Sequence, residues 1–201
     1  MKVFIHGWGF DNSVFEMDKE DIGLSLPGHG NNIPSIEKAV EIYKDTLKPF
    51  NNIHIIGWSI GASLGLMLSN YLDTKSLILI GFSPYFKEAH DKTTLLAFKK
   101  TMKKNFYEAI NEFRKNAYPF PFSAHYPEKD IALNILEEYM ELDLRDMVKT
   151  TNIPIKLIHG QQDDIVPIQE AHKSIALNKN ISLITYKGNH FPDNKNIISF
   201  I

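Results

Sequence analysis

Six short runs of β-branched and apolar residues, at 2–6 (KVFIH), 21–26, 53–57, 76–81, 155–159 and 181–186, constrain this chain most. Such runs read as strands. Most lack an apolar/polar alternation, which predicts burial on both faces, as in a parallel sheet covered by other layers. Helical patterns separate them. The clearest is 35–50, where Ile36, Ala39, Val40, Tyr43 and Leu47 recur at helical spacing behind Pro34 and a Ser35 N-cap. Strand and helix in alternation predict an α/β, doubly wound, mostly parallel six-stranded sheet. The alternation fails once. Residues 83–154 hold no convincing strand, and helices are expected over 95–115 and 131–148, with the stiff Tyr118-Pro119-Phe120-Pro121-Phe122 between them. The division that follows is a core of 1–83 and 154–201 with a helical cap of 84–153.

Composition narrows the chemistry. The chain is 43% hydrophobic and 23% charged and contains no cysteine, so a covalent mechanism must use an oxygen or nitrogen nucleophile. A formal net charge of −2 argues against nucleic acid as a partner. No apolar run approaches the length of a membrane span, and Met1-Lys2-Val3-Phe4-Ile5 does not look like a secretory signal, so a cytoplasmic protein is expected. The histidines are scattered, there is no H-E-x-x-H, and Leu26-Pro27-Gly28-His29-Gly30 matches neither dinucleotide nor P-loop patterns. No metal or cofactor is expected.

The chemically informative segment is Gly57-Trp58-Ser59-Ile60-Gly61. It ends a strand and opens a helical pattern at 62–71, whose buried side is read as Leu64, Met67, Leu68 and Tyr71. This is the nucleophile-elbow pattern, in which flanking glycines permit a turn too tight for β-carbons and the serine is raised toward a cleft. A serine hydroxyl needs a base and a carboxylate to orient that base. Asp163 follows the fifth strand and His190 the sixth, in the chain order Ser, Asp, His. Asp164 competes with Asp163. All three positions lie at carboxyl ends of strands, where open α/β sheets bind ligands. Oxyanion donors are expected from the backbone N–H groups of Ile60, at a helix N-terminus, and Trp8, in His6-Gly7-Trp8-Gly9. His6 itself reads as a loop-stabilising group.

Taken together, these motifs resemble the α/β-hydrolase superfamily over nearly the whole chain. More narrowly, Trp58 before the nucleophile, Phe82-Ser83-Pro84-Tyr85-Phe86 and Glu141-Leu142-Asp143-Leu144-Arg145 resemble the pimeloyl-acyl carrier protein methyl ester carboxylesterases of biotin synthesis. The resemblance implies that Ser59 attacks the ester carbonyl, His190 relays the proton, Asp163 fixes the imidazole, and methanol leaves before water releases the acid. It also implies the strand order 2-1-3-4-5-6 and an acyl pocket lined by Trp8, Phe82 and Ser83. Two departures stand out. The chain begins almost at the strand bearing the oxyanion loop, without the two leading strands of the family, and its last helix is shortened to about 194–201. The exposed sheet edge is expected to be short or covered by a partner subunit.

Charge adds an argument about partners. Residues 87–115 carry eight basic and four acidic side chains, a net +4, while the rest of the chain sums to −6. A basic lid suits an acidic acyl carrier protein, with Lys99, Lys100, Lys103, Lys104, Arg114 and Lys115 as docking residues. A solvated helix face accounts for the same charges. The expectation is a monomeric serine esterase served by a carrier protein. Its rivals are a general small-molecule hydrolase of the same fold and a catalytically silent binding module.

Overall fold

A computed structural model describes residues 1–192; the helix expected at 194–201 lies outside them. The strands are β1 (Lys2–Ile5), β2 (Ile22–Leu24), β3 (Ile53–Trp58), β4 (Thr74–Ile80), β5 (Ile155–Gly160) and β6 (Ile181–Tyr186). They form one sheet in the order β2-β1-β3-β4-β5-β6. Every neighbouring pair is parallel.

The missing alternation has a direct cause. Along β1, β3, β4 and β5, odd and even side chains enter two different apolar layers. Val3, Ile5, Ile53, Ile55, Leu77, Leu79, Ile155 and Leu157 pack on one side. Phe4, Ile56, Trp58, Ile78, Ile80 and Ile158 pack on the other. The first layer includes α1 (Ile36–Leu47) and α2 (Ile60–Ser69), whose inward residues include Val40, Leu47, Leu64 and Leu68. Ser35 Oγ accepts the Lys38 N–H and so caps α1 as expected. Among the described residues the second layer is filled largely by aromatic side chains from loops, including Phe10, Phe15, Tyr118 and Phe191. Trp58 lies at its centre, with ring centroids 4.6 Å from both Phe10 and Phe191.

Between β4 and β5 run α3 (Lys92–Lys104), α4 (Phe106–Ala117), α5 (Lys129–Glu141) and α6 (Arg145–Thr150); α7 (Gln169–Leu177) precedes β6. Here the sequence reading needs correction. The single helix expected over 95–115 is two, because Asn105 leaves the helical region (φ −131°, ψ 58°) and ends α3 while opening α4. The helix expected over 131–148 is likewise divided at 142–144, where the Asp143 carboxylate accepts the Arg145 N–H at 3.1 Å. Tyr71 is not part of the buried face of α2: the helix stops at Ser69, and Tyr71 is 62% exposed. No described helix is long and apolar enough to cross a membrane.

Candidate active site

Three loops at the carboxyl edge of the sheet bring Ser59, Asp163 and His190 to one region. Ser59 sits between β3 and α2 with φ 55° and ψ −122°, a conformation that costs a non-glycine residue on the order of 1–3 kcal/mol. The flanking glycines make this turn possible. A β-carbon on Gly57 would lie 2.5 Å from Ala62 Cα, and one on Gly61 would lie 2.3 Å from the Ile5 carbonyl oxygen. The turn is held to the neighbouring strand by the Ser59 N–H, which donates to the Ile80 carbonyl at 2.8 Å. Ile60 is the first residue of α2, so its N–H has no acceptor within the helix.

His190 is 1% exposed and meets Asp163, not Asp164: Nδ1 and Asp163 Oδ2 are 2.7 Å apart. The second carboxylate oxygen accepts the N–H groups of Ile165 (3.0 Å) and Val166 (2.8 Å), which fixes the acid rigidly. Burial pushes the Asp163 pKa up, but the facing His190, its hydrogen bond, the Val166 N–H and nearby His159 together leave it below the usual carboxylate value. Asp163 is therefore an anion at neutral pH, and His190 Nδ1 carries the proton shared with it. Asp164 is exposed and lines the outer cleft.

The imidazole is seated from two further sides. Gly81 (φ 55°) lies beneath it, where a β-carbon would stand 2.7 Å from His190 Cε1. The Trp58 indole N–H donates to the His190 carbonyl at 3.0 Å, across 132 positions of sequence. His190 Nε2 is buried and has no protein hydrogen-bond partner, so the contact to Ser59 Oγ expected of a triad is not formed in this state. Hydrogen bonds of this type commonly tighten only when substrate is bound.

Two hollows adjoin these residues. A cleft of about 650 Å³ runs between α3, α4 and the loops after β5 and β6, with Asp163 and His190 in its wall. A small recess of about 30 Å³ is bounded by Ser59, Ile60 and Trp8 together with apolar side chains, among them Phe86, Leu136 and Ile165. Phe98, Phe113 and Ile165 belong to both. Sequence reasoning missed these three. Phe98 and Phe113 fall on the ordinary apolar stripe of helices, and nothing in the pattern marks that stripe as facing a cleft.

Several expected roles fall differently. Trp8 borders the recess, and its indole N–H is tied to the Ala132 carbonyl of α5 at 2.8 Å. Phe82 and Ser83 line neither of these two hollows: both are buried, and Ser83 Oγ donates to Glu170 Oε2 at 2.6 Å, pinning the loop after β4 to α7. Arg114 is not a surface docking residue. It is 7% exposed, and its guanidinium donates to the carbonyls of Gly9, Ala124 and His125. Lys100, Lys103, Lys104 and Lys115 are exposed and Lys99 is half-buried. Lys103 pairs with Glu137 and Lys115 with Glu112, each at 2.7 Å. His6 is fully buried and structural: its ring meets the Gly7 carbonyl at 2.8 Å and accepts the Leu26 N–H at 3.2 Å. No group of three or more candidate metal ligands occurs among the described residues.

Comparison with known proteins agrees with this geometry at the level of fold and resemblance. No family model matches the chain. The chain is 26% identical to a protein of Pseudoalteromonas atlantica named pimeloyl-[acyl-carrier protein] methyl ester esterase, covering 94% of this chain and 87% of that protein. It is 28% identical to the Wigglesworthia glossinidia brevipalpis protein of the same name, covering 98% and 83%. Among solved structures, an esterase from Exiguobacterium antarcticum superposes with a TM-score of 0.85 at 16% identity, covering 99% of this chain and 88% of that one. The architecture is the α/β-hydrolase fold, and the sequence resembles the pimeloyl-carrier esterases along most of its length.

Proposed function

We propose that this chain is a serine carboxylesterase that hydrolyses the methyl ester of a pimeloyl group held on acyl carrier protein. The observation that carries the reading is the buried Asp163–His190 pair, with an unpartnered Nε2, beside a strained serine at a strand-to-helix turn. Such a buried nitrogen is costly to leave without a partner. It is suited to accept the Ser59 hydroxyl proton when substrate completes the site. Ser59 Oγ then bonds to the ester carbonyl carbon, and the carbonyl oxygen becomes an anion facing the N–H groups of Trp8 and Ile60. The protonated imidazole, oriented by Asp163, returns the proton to the departing methoxide. Water repeats the sequence in reverse, releasing the acid and restoring the serine.

The recess beside Ser59 is bounded by Trp8 and Ile60, the proposed oxyanion donors, and is assigned to the carbonyl oxygen, while the departing methoxy lies on the His190 side, in the larger cleft. The longer acyl chain has space in the same cleft of about 650 Å³. Residues 84–153 act in this proposal as a lid on a core of 1–83 and 154–201. The lysines at 99, 100, 103, 104 and 115 offer positive charge to an acidic carrier. Both relatives compared above are named for this substrate.

The test is hydrolysis of methyl pimeloyl-carrier protein by the purified chain, read as methanol release, with fluorophosphonate labelling of Ser59. Turnover together with a Ser59 adduct, both abolished in Ser59→Ala, is expected. Turnover of short esters without turnover of the carrier-bound ester would reduce the reading to a general esterase. A folded chain with no adduct would overturn it altogether.

A further inference from the structure

Arg114 lies on α4, well away in sequence from the loop that follows β1, yet its Nε–H donates to the Gly9 carbonyl at 2.6 Å. Its two terminal nitrogens donate to Ala124 and His125 at 3.2 and 3.0 Å. The guanidinium also lies over the rings of Phe122 and Tyr126, 5.0 and 5.2 Å from their centroids. A buried cation donating to neutral carbonyls and held by ring faces makes strong, directional bonds. The other end of Gly9 is held as firmly, because its N–H donates to His29 Nε2 at 2.9 Å. Gly9 also has φ 79°, a backbone state that an L side chain resists. Both peptide groups flanking Gly9 are therefore fixed by side chains from outside the loop. One of these groups carries the carbonyl of Trp8, the residue whose own N–H is assigned to the oxyanion.

We propose that Arg114 is a positioning residue that couples the seating of the β4–β5 helices to the orientation of the oxyanion loop. When α4 is docked, Arg114 pulls the Gly9 carbonyl toward the lid, and the Trp8 N–H is turned toward Ser59. When α4 lifts, that tether is lost and the donor loses its aim. The inference rests on the esterase reading, and it assigns to the lid a part in catalysis beyond shielding. A single oxyanion donor is worth about 100- to 1000-fold in kcat, so mis-aiming one should cost part of that.

The experiment compares wild type, Arg114→Lys, Arg114→Met and Leu47→Ala, the last removing a fully buried α1 side chain that lines neither hollow and lies outside α4. Each is measured for kcat and KM on a short p-nitrophenyl ester, for affinity toward a trifluoromethyl ketone that forms an oxyanion adduct, and for melting temperature. Both Arg114 variants should lose about 10- to 50-fold in kcat with KM within about twofold, and ketone affinity should fall by the same factor. Leu47→Ala should melt earlier yet keep kcat and ketone affinity within about twofold. Wild-type kcat and ketone affinity in folded Arg114→Lys would overturn the proposal. So would a Leu47→Ala enzyme that reproduces both losses, because the effect would then follow general destabilisation and not the seating of α4. A wild-type chain that neither cleaves ester nor binds ketone fails the esterase reading itself, which separates the two failures.

Discussion

The carboxyl edge of the sheet and the helical segment between β4 and β5 hold their polar groups in opposite ways. At the edge, His6, His29, Asp163 and His190 are buried, and hydrogen bonds from nearby loops fix them. In the helical segment most charges face solvent, and Arg114 is a buried exception whose bonds reach back to the edge. The difference separates two tasks. Chemistry needs groups whose geometry is over-determined, whereas access and partner choice tolerate mobile side chains on helix surfaces.

The hardest way to break this contrast is at Ser59, the proposed nucleophile. Ser59→Ala should lower kcat by at least about 10,000-fold with little change in melting temperature, measured on a p-nitrophenyl ester. A loss of under tenfold would place the chemistry elsewhere. Next comes the pair of adjacent acids, which tests burial within two neighbouring residues. Asp163→Asn should cost about 1000- to 10,000-fold in kcat because the imidazole loses its orienting anion, while the exposed Asp164→Asn should stay within about twofold.

A stability measurement sharpens the comparison further. Burial pushes His6 down to about 4, and burial with the charge of neighbouring His6 pushes His29 down to about 3. The unfolded chain takes up protons on both below about pH 6.5, and the folded chain does not, so stability falls as pH drops from 6.5 toward these values. Each histidine contributes a slope of about 1.4 kcal/mol per pH unit. Unfolding free energies from urea titrations at pH 6 and pH 5 should therefore differ by about 2–3 kcal/mol. His29→Gln should remove close to half of that difference, and an unchanged slope would show that His29 is not held neutral. The smallest effect is expected on the helical segment. Charge reversal of Lys99, Lys100, Lys103 and Lys104 to Glu should slow the carrier-bound ester by about three- to tenfold at low salt and spare a short ester. Equal effects on both substrates would remove the docking claim.

How far the sequence foretold this molecule follows the same division. The sheet was legible because β-branched runs buried on both faces leave no other economical reading, and the elbow because its glycines are sterically compelled. The broken helices were not. Leu95, Phe98, Met102, Phe106, Ile110 and Phe113 keep helical spacing straight across Asn105, so periodicity carries no sign of the interruption there. Arg114 was misplaced for a related reason: beside Lys115 it looks like one more surface cation, and only tertiary packing brings Gly9 to its guanidinium. The place of Phe82 and Ser83 in an acyl pocket rests on resemblance alone, and in the structure the Ser83 hydroxyl is engaged by the Glu170 carboxylate.

Trp58 unites two anchors that the chain path keeps far apart. It precedes Ser59 in the backbone, and its indole holds the loop of His190. One side chain therefore ties the loop of His190 to the strand end that carries Ser59. Part of the registration between them therefore passes through one rigid bicyclic ring, beside the Asp163 and Gly81 contacts, and insertions elsewhere between residues 59 and 190 can lengthen the chain without lengthening that span.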